Sequence, residues 1–69
     1  MSKGFDIKQR LSMHHLTYSW LICQLQSKGI SIDISSLSSI LNGVRKGPKA
    51  DQVITESDMV LAKYEALYL

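Results

Sequence analysis

The sequence predicts an all-α fold of four or five short helices in a single domain of 69 residues. Apolar residues recur three and four positions apart along most of the chain, which is typical of amphipathic helices. Residues that favour helix ends separate these segments, among them Thr17, Asp33 and the pair Asn42-Gly43. No segment alternates apolar and polar residues for long enough to predict a strand.

Two amphipathic helices are predicted in the first thirty residues. Ile7, Leu11 and His14 lie four and three positions apart with polar residues between them, which predicts a helix over about residues 4–15. Thr17 then occupies an N-cap position, because its hydroxyl can accept a hydrogen bond from a free amide. Gly29 predicts that the second helix ends near residue 27, since glycine readily adopts the C-cap conformation. The apolar face of the second helix consists of Tyr18, Leu21, Ile22 and Leu25.

The segment DISSLSSILNGVRKGPK, residues 33–49, predicts a short third helix followed by a basic loop. Asp33 is the N-cap candidate, because its carboxylate can accept from a free amide and is favoured by the positive end of the helix dipole. Asn42 and Gly43 end the helix. Gly47-Pro48 predicts that a loop follows, because proline pushes the preceding residue out of the helical region. The apolar face of the third helix consists of Ile34, Leu37, Ile40 and Leu41.

A C-terminal helix is predicted over about residues 51–67. Ser57 is a plausible internal cap, so residues 55–58 could instead divide this region into two helices. The region holds more apolar residues than one buried face needs, which predicts a dimer interface; the alternative is that the tail folds back onto the domain. The surplus residues are Met59, Ala62, Leu67, Tyr68 and Leu69.

The charges are distributed unevenly along the chain. Residues 1–50 contain seven lysines and arginines against two aspartates, a net charge of +5, whereas residues 51–69 contain four acidic residues against one lysine, a net charge of −3. A basic front and an acidic tail suit a protein that meets a polyanion with one face and keeps its other end away from it. Nucleic acid is therefore a candidate partner.

The sequence disfavours several other classes of protein. Cys23 is the single cysteine, so no internal disulfide can form and a reducing, cytoplasmic compartment is expected. The longest apolar runs have four residues, far fewer than the roughly twenty that a membrane span needs. His14 and His15 have no further ligand at zinc-binding spacing, so neither a metal nor another cofactor is expected. No glycine-rich phosphate loop and no recognisable nucleophile and base are present, which argues against an enzyme.

Two segments resemble a known family of DNA-binding proteins. LTYSWL resembles the Leu-Thr-Gln-x-x-Leu opening of helix two in the lambda-repressor-like family of phage repressors and Cro-type regulators. IDISSLSSILNGVRKGPK resembles that family's recognition segment, Val-Ser-x-x-x-Ile-Ser-x-x-Leu-Asn-Gly-x-Arg-x-Pro. The resemblance covers about half of the chain closely. It implies a lambda-repressor-like helix-turn-helix over about residues 17–42, with residues 34–42 as the recognition helix in the major groove.

The resemblance also implies which side chains contact DNA. Asp33 takes the place of the family's serine cap, and Tyr18 replaces a glutamine that binds phosphate. The basic loop predicts phosphate contacts without the family, because cationic side chains that leave a helix end can neutralise the DNA backbone. Serines discriminate bases poorly, so specificity is expected to be modest or to come from Ile34 against thymine methyls and from DNA shape. The predicted DNA-binding residues are Thr17, Tyr18, Ile34, Ser35, Ser36, Ser39, Asn42, Arg45, Lys46 and Lys49.

Two functions remain open at this point. The first is a small sequence-specific DNA-binding transcriptional regulator, of the phage or mobile-element repressor type that the resemblance implies, acting as a homodimer on double-stranded DNA. The second is a protein-interaction module on a helix-turn-helix scaffold that modulates another regulator or a host protein. The serine-rich face, the net charge of only +2 and the surplus of apolar residues favour the second function.

Overall fold

The computed structural model describes residues 3–68, and this part of the chain contains four helices and no strand. Helix α1 spans Lys3–Met13, α2 spans Tyr18–Ser27, α3 spans Ile34–Leu41 and α4 spans Pro48–Tyr68. The all-α prediction is confirmed. Within residues 3–68, no helix is both long enough and apolar enough to cross a membrane.

The first three helices end in the same hydrogen-bond pattern. After α1, the His15 amide donates to the Ser12 carbonyl at 3.1 Å and the Leu16 amide donates to the Leu11 carbonyl at 2.8 Å, which is a Schellman motif. The helices α2 and α3 end in the same way, with Gly29 and Gly43 at the position of His15. This position needs a positive φ, which is 58° at His15, 84° at Gly29 and 78° at Gly43. The sequence indicated the two glycine stops and gave no such signal for His15.

The predicted N-caps of α2 and α3 are confirmed. Thr17 Oγ1 accepts a hydrogen bond from the Trp20 amide at 3.0 Å, and Asp33 Oδ1 accepts one from the Ser36 amide at 2.8 Å. Both cap residues have extended backbones, as N-cap residues typically do. The hydrogen bonds from Ser36 lower the pKa of the Asp33 carboxyl. Asp33 therefore stays ionised at pH values where an ordinary aspartate begins to take up a proton.

Helix α4 begins three residues earlier than predicted and is continuous. Pro48 is its first residue, a position where the missing amide proton costs nothing and the fixed φ suits a helix, and the Gly47 carbonyl accepts from the Asp51 amide at 2.9 Å. Ser57 does not break the helix. It lies fully buried on the same face as Val53 and Leu61, and its hydroxyl has no hydrogen-bond partner among the described residues.

The hydrophobic core lies between all four helices. Each helix contributes one face, and Ile30 from the α2–α3 connection completes the core. Trp20 and Tyr18 pack against its edge, half-buried. The buried apolar residues are Ile7, Leu11, Leu21, Leu25, Ile30, Leu37, Ile40, Leu41, Ala50, Val53, Val60 and Leu61.

An ion-pair network centred on Arg10 joins α1 to α4. The Arg10 guanidinium forms a two-bond fork with Glu65, at 2.9 and 3.0 Å, and binds Asp58 at 2.6 Å and Asp6 at 3.2 Å. His14 Nε2 lies 2.9 Å from Glu65 Oε2, the oxygen that also accepts from Arg10 Nε. The hydrogen bonds from Arg10 and His14 lower the pKa of Glu65 to about 2, and those to Glu65 raise the pKa of Arg10.

The N-terminal half of α1 contacts the C-terminal end of α3. Gly4 is buried there, and a Cβ at this position would lie 2.4 Å from the Leu41 carbonyl oxygen. One helical turn further on, Lys8 Nζ donates to Asn42 Oδ1, while Asn42 Nδ2 donates to Ser38 Oγ at 3.2 Å. Helix α1 therefore fixes the end of α3 from which the basic loop departs.

Replacing Gly4 with alanine is expected to destabilise the protein by about 1–3 kcal/mol, because the added methyl group overlaps backbone atoms of Leu41 that cannot turn aside. Because Gly4 lies in the first turn of α1, alanine recovers only part of the roughly 1 kcal/mol by which it is favoured over glycine in a helix interior. Urea unfolding followed by circular dichroism measures the change. The exposed Gln9→Ala change on the same helix serves as control and should stay within about 0.5 kcal/mol. A Gly4→Ala variant as stable as the parent would contradict the close contact.

Replacing Glu65 with glutamine should lower the free energy of unfolding at pH 7 by about 1 kcal/mol, because Arg10 and His14 lose a charged acceptor that is partly exposed to water. The folded-state pKa of about 2 lies below the ordinary value of 4.5, so the carboxylate contributes its full stability above pH 4.5. The difference between parent and variant should shrink as the pH falls from 4.5 towards 2.

Unfolding curves at several pH values test this dependence on Glu65. The Glu56→Gln variant is the control, because Glu56 approaches Lys28 only to 3.9 Å. It should change stability by less than about 0.5 kcal/mol. A constant difference between the parent and Glu65→Gln down to acid pH would show that the Glu65 carboxylate gains nothing from the network.

Candidate nucleic-acid interface

A basic groove lies between the start of α3 and the start of α4. We define it by five of its lining residues, Asp33, Ser36, Arg45, Lys46 and Lys49. The backbone amides of Val44 and Arg45 both donate to the Ser39 carbonyl, at 2.9 and 3.2 Å, so the loop turns back immediately after α3. This turn brings Arg45 and Lys46 beside Lys49 in the first turn of α4.

The three cations of the basic groove form no ion pair within residues 3–68. Arg10 and Lys28, by contrast, pair with acidic residues, and Lys8 donates to an amide. Asp33 is the one carboxylate among the residues that define the groove. The hydrogen bonds from Ser36 have the largest effect in lowering its pKa, and the positive charge of Arg45 has a smaller one. Three positive charges against one negative charge leave the groove with a net charge of +2.

The outward face of α3 is small and largely polar. Ser35 is exposed, Ser36 and Ser39 are half-buried, and the first residue of the helix, Ile34, is 53% exposed. The opposite face carries the buried Leu37, Ile40 and Leu41. Helix α3 therefore presents three hydroxyls and one aliphatic side chain to a partner, and its backbone can approach that partner closely.

An apolar groove lies on the other side of the α2–α3 turn. We define it by Ile22, Cys23, Ile32 and Ile34, with Ser19, Asp33 and Ser35 also lining it. The apolar spacing of α2 predicts Ile22 on the buried face of that helix, together with Tyr18, Leu21 and Leu25. The structure leaves Ile22 and Ile32 half-buried, so each also contributes to this surface. The apolar spacing of α3 grouped Ile34 with the buried Leu37, Ile40 and Leu41, but Ile34 is 53% exposed because the first residue of the helix lies beyond the core.

The ten predicted DNA-binding residues are distributed over several surfaces. Ser36, Arg45, Lys46 and Lys49 share the basic groove, whereas Ile34 and Ser35 line the apolar groove. Ser39 lies half-buried further along α3. The remaining three residues, Thr17, Tyr18 and Asn42, line neither groove.

The structure gives these three residues internal contacts. The Thr17 hydroxyl caps α2, and Tyr18 packs against the core. Both polar groups of the Asn42 amide are engaged, the oxygen by Lys8 and the nitrogen by Ser38. Asn42 is itself exposed, so these hydrogen bonds hold its amide at the protein surface, and its contact with DNA stays a prediction.

A third groove, which we call the aromatic groove, lies between α2 and the end of α4. The rings of Trp20 and Tyr64 meet edge to face at 5.5 Å, and those of Tyr64 and Tyr68 lie 4.9 Å apart. Leu67 and Tyr68 at its rim are 65% and 70% exposed. Of the predicted surplus apolar residues, Met59, Ala62, Leu67 and Tyr68 are exposed, and Leu69 lies outside the described residues.

A metal ion is held by several titratable side chains that converge on a common point. Within residues 3–68, no three histidine, cysteine, aspartate or glutamate side chains converge as metal ligands would. His14 faces Glu65 and the ring of Tyr64, at a centroid distance of 5.6 Å. Cys23 is free and exposed.

No family model matches the chain, and neither a curated protein nor a solved structure is significantly similar to it. Function therefore has to be inferred from the geometry and charge of the three grooves.

Proposed function

We propose that this protein is a small sequence-specific DNA-binding transcriptional regulator of the helix-turn-helix type, with α3 as its recognition helix in the major groove. The observation that carries this proposal is the basic groove, where Arg45, Lys46 and Lys49 form no ion pair with any other residue between 3 and 68 and lie beside a short helix with a small outer face. Such cations neutralise backbone phosphates and position the protein, while the neighbouring helix contacts base edges. As the resemblance implies, the regulator would act as a repressor that occupies an operator.

The shape of α3 supports docking in the major groove. A helix with its side chains is about 10–12 Å across, which the roughly 12 Å width of that groove admits, and the small serine side chains let the backbone of α3 approach the base edges. The α2–α3 connection is fixed at both ends, by the Schellman motif of α2 and by the Asp33 cap. The two helices are thus held as one rigid unit, which a recognition helix needs in order to keep its register on DNA.

The allocation of charges supports the same function. The Arg10 network uses Asp58 and Glu65 of α4 for contacts within the protein, so the positive charge of Arg10 offsets part of the negative charge of α4. The cations of the basic groove form no such ion pair within residues 3–68, so they are available to bind an external anion. Asp33 weakens the attraction near Arg45, so Lys46 and Lys49 carry the larger share of the phosphate contacts.

Replacing both Arg45 and Lys46 with alanine should weaken binding to duplex DNA. The slope of log affinity against log salt concentration should fall by about 2, because each lost phosphate contact removes about 0.9 from the slope. Fluorescence anisotropy of labelled random-sequence duplexes between ~50 mM and ~200 mM salt measures both quantities. The parent should bind tightly at the lower salt concentration and lose affinity steeply as salt is added.

A double variant of Lys3→Ala with Lys28→Ala is the matched control, because it removes the same charge from exposed positions that line none of the three grooves. It should keep a salt slope close to that of the parent. Equal losses in the two double variants would mean that only overall charge attracts the DNA. A parent protein that binds no duplex even at low salt would overturn the proposed function.

The apolar groove favours a second candidate function, a protein-interaction module that binds another regulator or a host protein. An exposed isoleucine flanked by half-buried aliphatic side chains is suited to an apolar partner surface. An apolar protein interface responds little to salt, whereas phosphate contacts respond steeply. The salt series above therefore separates the two candidates.

We further propose that the regulator is a two-fold homodimer whose interface is the aromatic groove. Leu67 and Tyr68 protrude beside a concave surface on the same subunit, so a two-fold axis would place each protruding end in the partner's groove. A dimer of this kind reads an inverted repeat whose half-sites lie about 34–36 Å apart.

Replacing Leu67 with aspartate should shift the protein towards monomer and weaken operator binding at least tenfold, because a charge would have to be buried in the interface. Sedimentation velocity over a range of concentrations measures the first effect, and anisotropy with a selected operator measures the second. The fold should survive, since Leu67 is 65% exposed. The Met59→Asp variant, on an exposed position outside the groove, should remain dimeric. A parent that sediments as a monomer at every concentration would rule out the dimer.

A further inference from the structure

We propose that the apolar groove contacts the C5 methyl groups of thymine, so that the target DNA carries thymines where it faces the start of α3. This inference rests on the proposed function and names the chemistry by which that site would distinguish one sequence from another. Thymine is the base that presents an aliphatic group in the major groove, and apolar side chains recognise it by excluding water from that methyl group.

Helix α3 offers no side chain for bidentate hydrogen bonding to bases. Between Ile34 and Leu41 it contains only serine, isoleucine and leucine. Arginine on guanine, or asparagine and glutamine on adenine, would provide bidentate contacts, and serine hydroxyls discriminate poorly because they both donate and accept. The nearest amide, that of Asn42, is occupied by Lys8 and Ser38. At the start of α3, the contact that can distinguish one base from another is therefore the apolar one.

Ile34 is placed to make this contact. It is the first residue of α3, where a recognition helix points its N-terminal side chains at base edges, and it is 53% exposed. Ile22 and Ile32 flank it and are half-buried, so they form a fixed wall against which a methyl group could pack. Because Ile34 is exposed, it contributes little to the core. The side chains that pack α3 against the other helices are Leu37, Ile40 and Leu41.

The position of the basic groove identifies DNA as the occupant. Ile32 and Asp33 line both grooves, so the two surfaces meet along the α2–α3 turn. A duplex whose phosphates bind Lys46 and Lys49 would present its base edges to the neighbouring apolar groove. The ionised Asp33 carboxylate lies between the two surfaces and repels phosphate, which favours base edges over backbone on the Ile34 side.

Two duplexes of about 20 base pairs, roughly two helical turns, provide the test. One alternates adenine with thymine and the other alternates adenine with deoxyuridine, so they share charges and hydrogen-bonding edges and differ only in the C5 methyl group. The parent should bind the thymine duplex more tightly by roughly fourfold for each methyl group that becomes buried. The salt slopes of the two complexes should be equal, because the phosphate contacts are the same.

The Ile34→Ala variant separates a direct methyl contact from a difference in DNA shape. It should bind both duplexes with the same affinity, close to that of the parent for the deoxyuridine duplex. Circular dichroism should show an unchanged helix content, because Ile34 is exposed. The Met59→Ala variant, which shortens an apolar side chain 52% exposed on α4, should keep the preference of the parent.

Equal, salt-sensitive binding of both duplexes by the parent would overturn the methyl contact and leave the proposed DNA-binding function intact. A preference that persists in Ile34→Ala would also overturn it, and would assign the preference to DNA shape. Failure to bind either duplex at low salt would overturn both the inference and the proposed function. Self-association of the parent that Ile34→Ala abolishes would assign the groove to a second copy of the chain and contradict the inference.

Discussion

The contact between α1 and α4 through Arg10 is the interaction on which the rest of this small structure depends. An isolated helix of eleven residues is marginal in water, and a chain of 69 residues buries a modest core, so α1 needs more than its apolar face to stay docked. Arg10 supplies a fork to Glu65 and a bond to Asp58 from a position that is only 17% exposed. Once α1 is docked, Gly4 and Lys8 hold the end of α3 through Leu41 and Asn42. The loop that carries the basic groove thus starts from a fixed point.

The same ion pairs determine which charges face the surroundings. Read along the sequence, the chain has a basic front and an acidic tail, which suggests that the two ends repel or attract a partner separately. In the folded protein, Asp58 and Glu65 of the tail pair with Arg10 of the front, whose single positive charge offsets part of theirs. Arg45, Lys46 and Lys49 are left unpaired within the described residues and gathered in one groove. A net charge of only +2 is therefore compatible with a locally positive surface, because the fold separates the cations of the basic groove from Asp58 and Glu65.

Two grooves with different chemistry meet at the α2–α3 turn, and this division matches the two tasks of a DNA-binding protein. Cations that bind phosphate give affinity and position without sequence information, whereas contacts to base edges give specificity. The proposed thymine contact would give specificity through Ile34, a side chain that cannot form hydrogen bonds. It would do so on a helix that has no side chain for bidentate hydrogen bonding. The aromatic groove uses α2, as the apolar groove does, but shares no lining residue with either of the other two surfaces. A dimer contact there would leave the other two grooves free for DNA.

What the sequence alone determined was local. The all-α class follows from apolar spacing, and Thr17, Asp33, Gly29 and Gly43 marked helix ends correctly because a cap acts within about four residues of its position. The sequence also contained the cations that gather beside α3, but its apolar spacing grouped the exposed Ile34 with the buried face of that helix. The start of α4 at Pro48 is also local, since proline suits the first helical position, although Gly47-Pro48 predicted a loop. The sequence did not reveal that His15 ends α1 or that Ser57 is buried, since both depend on how helices pack. Nor could it show the partners of Arg10, which lie 48 and 55 residues away, or the engagement of Asn42 by Lys8, 34 residues away. Only the tertiary structure brings such distant groups within bonding distance, and it thereby decides which polar side chains are used internally and which remain free for a partner.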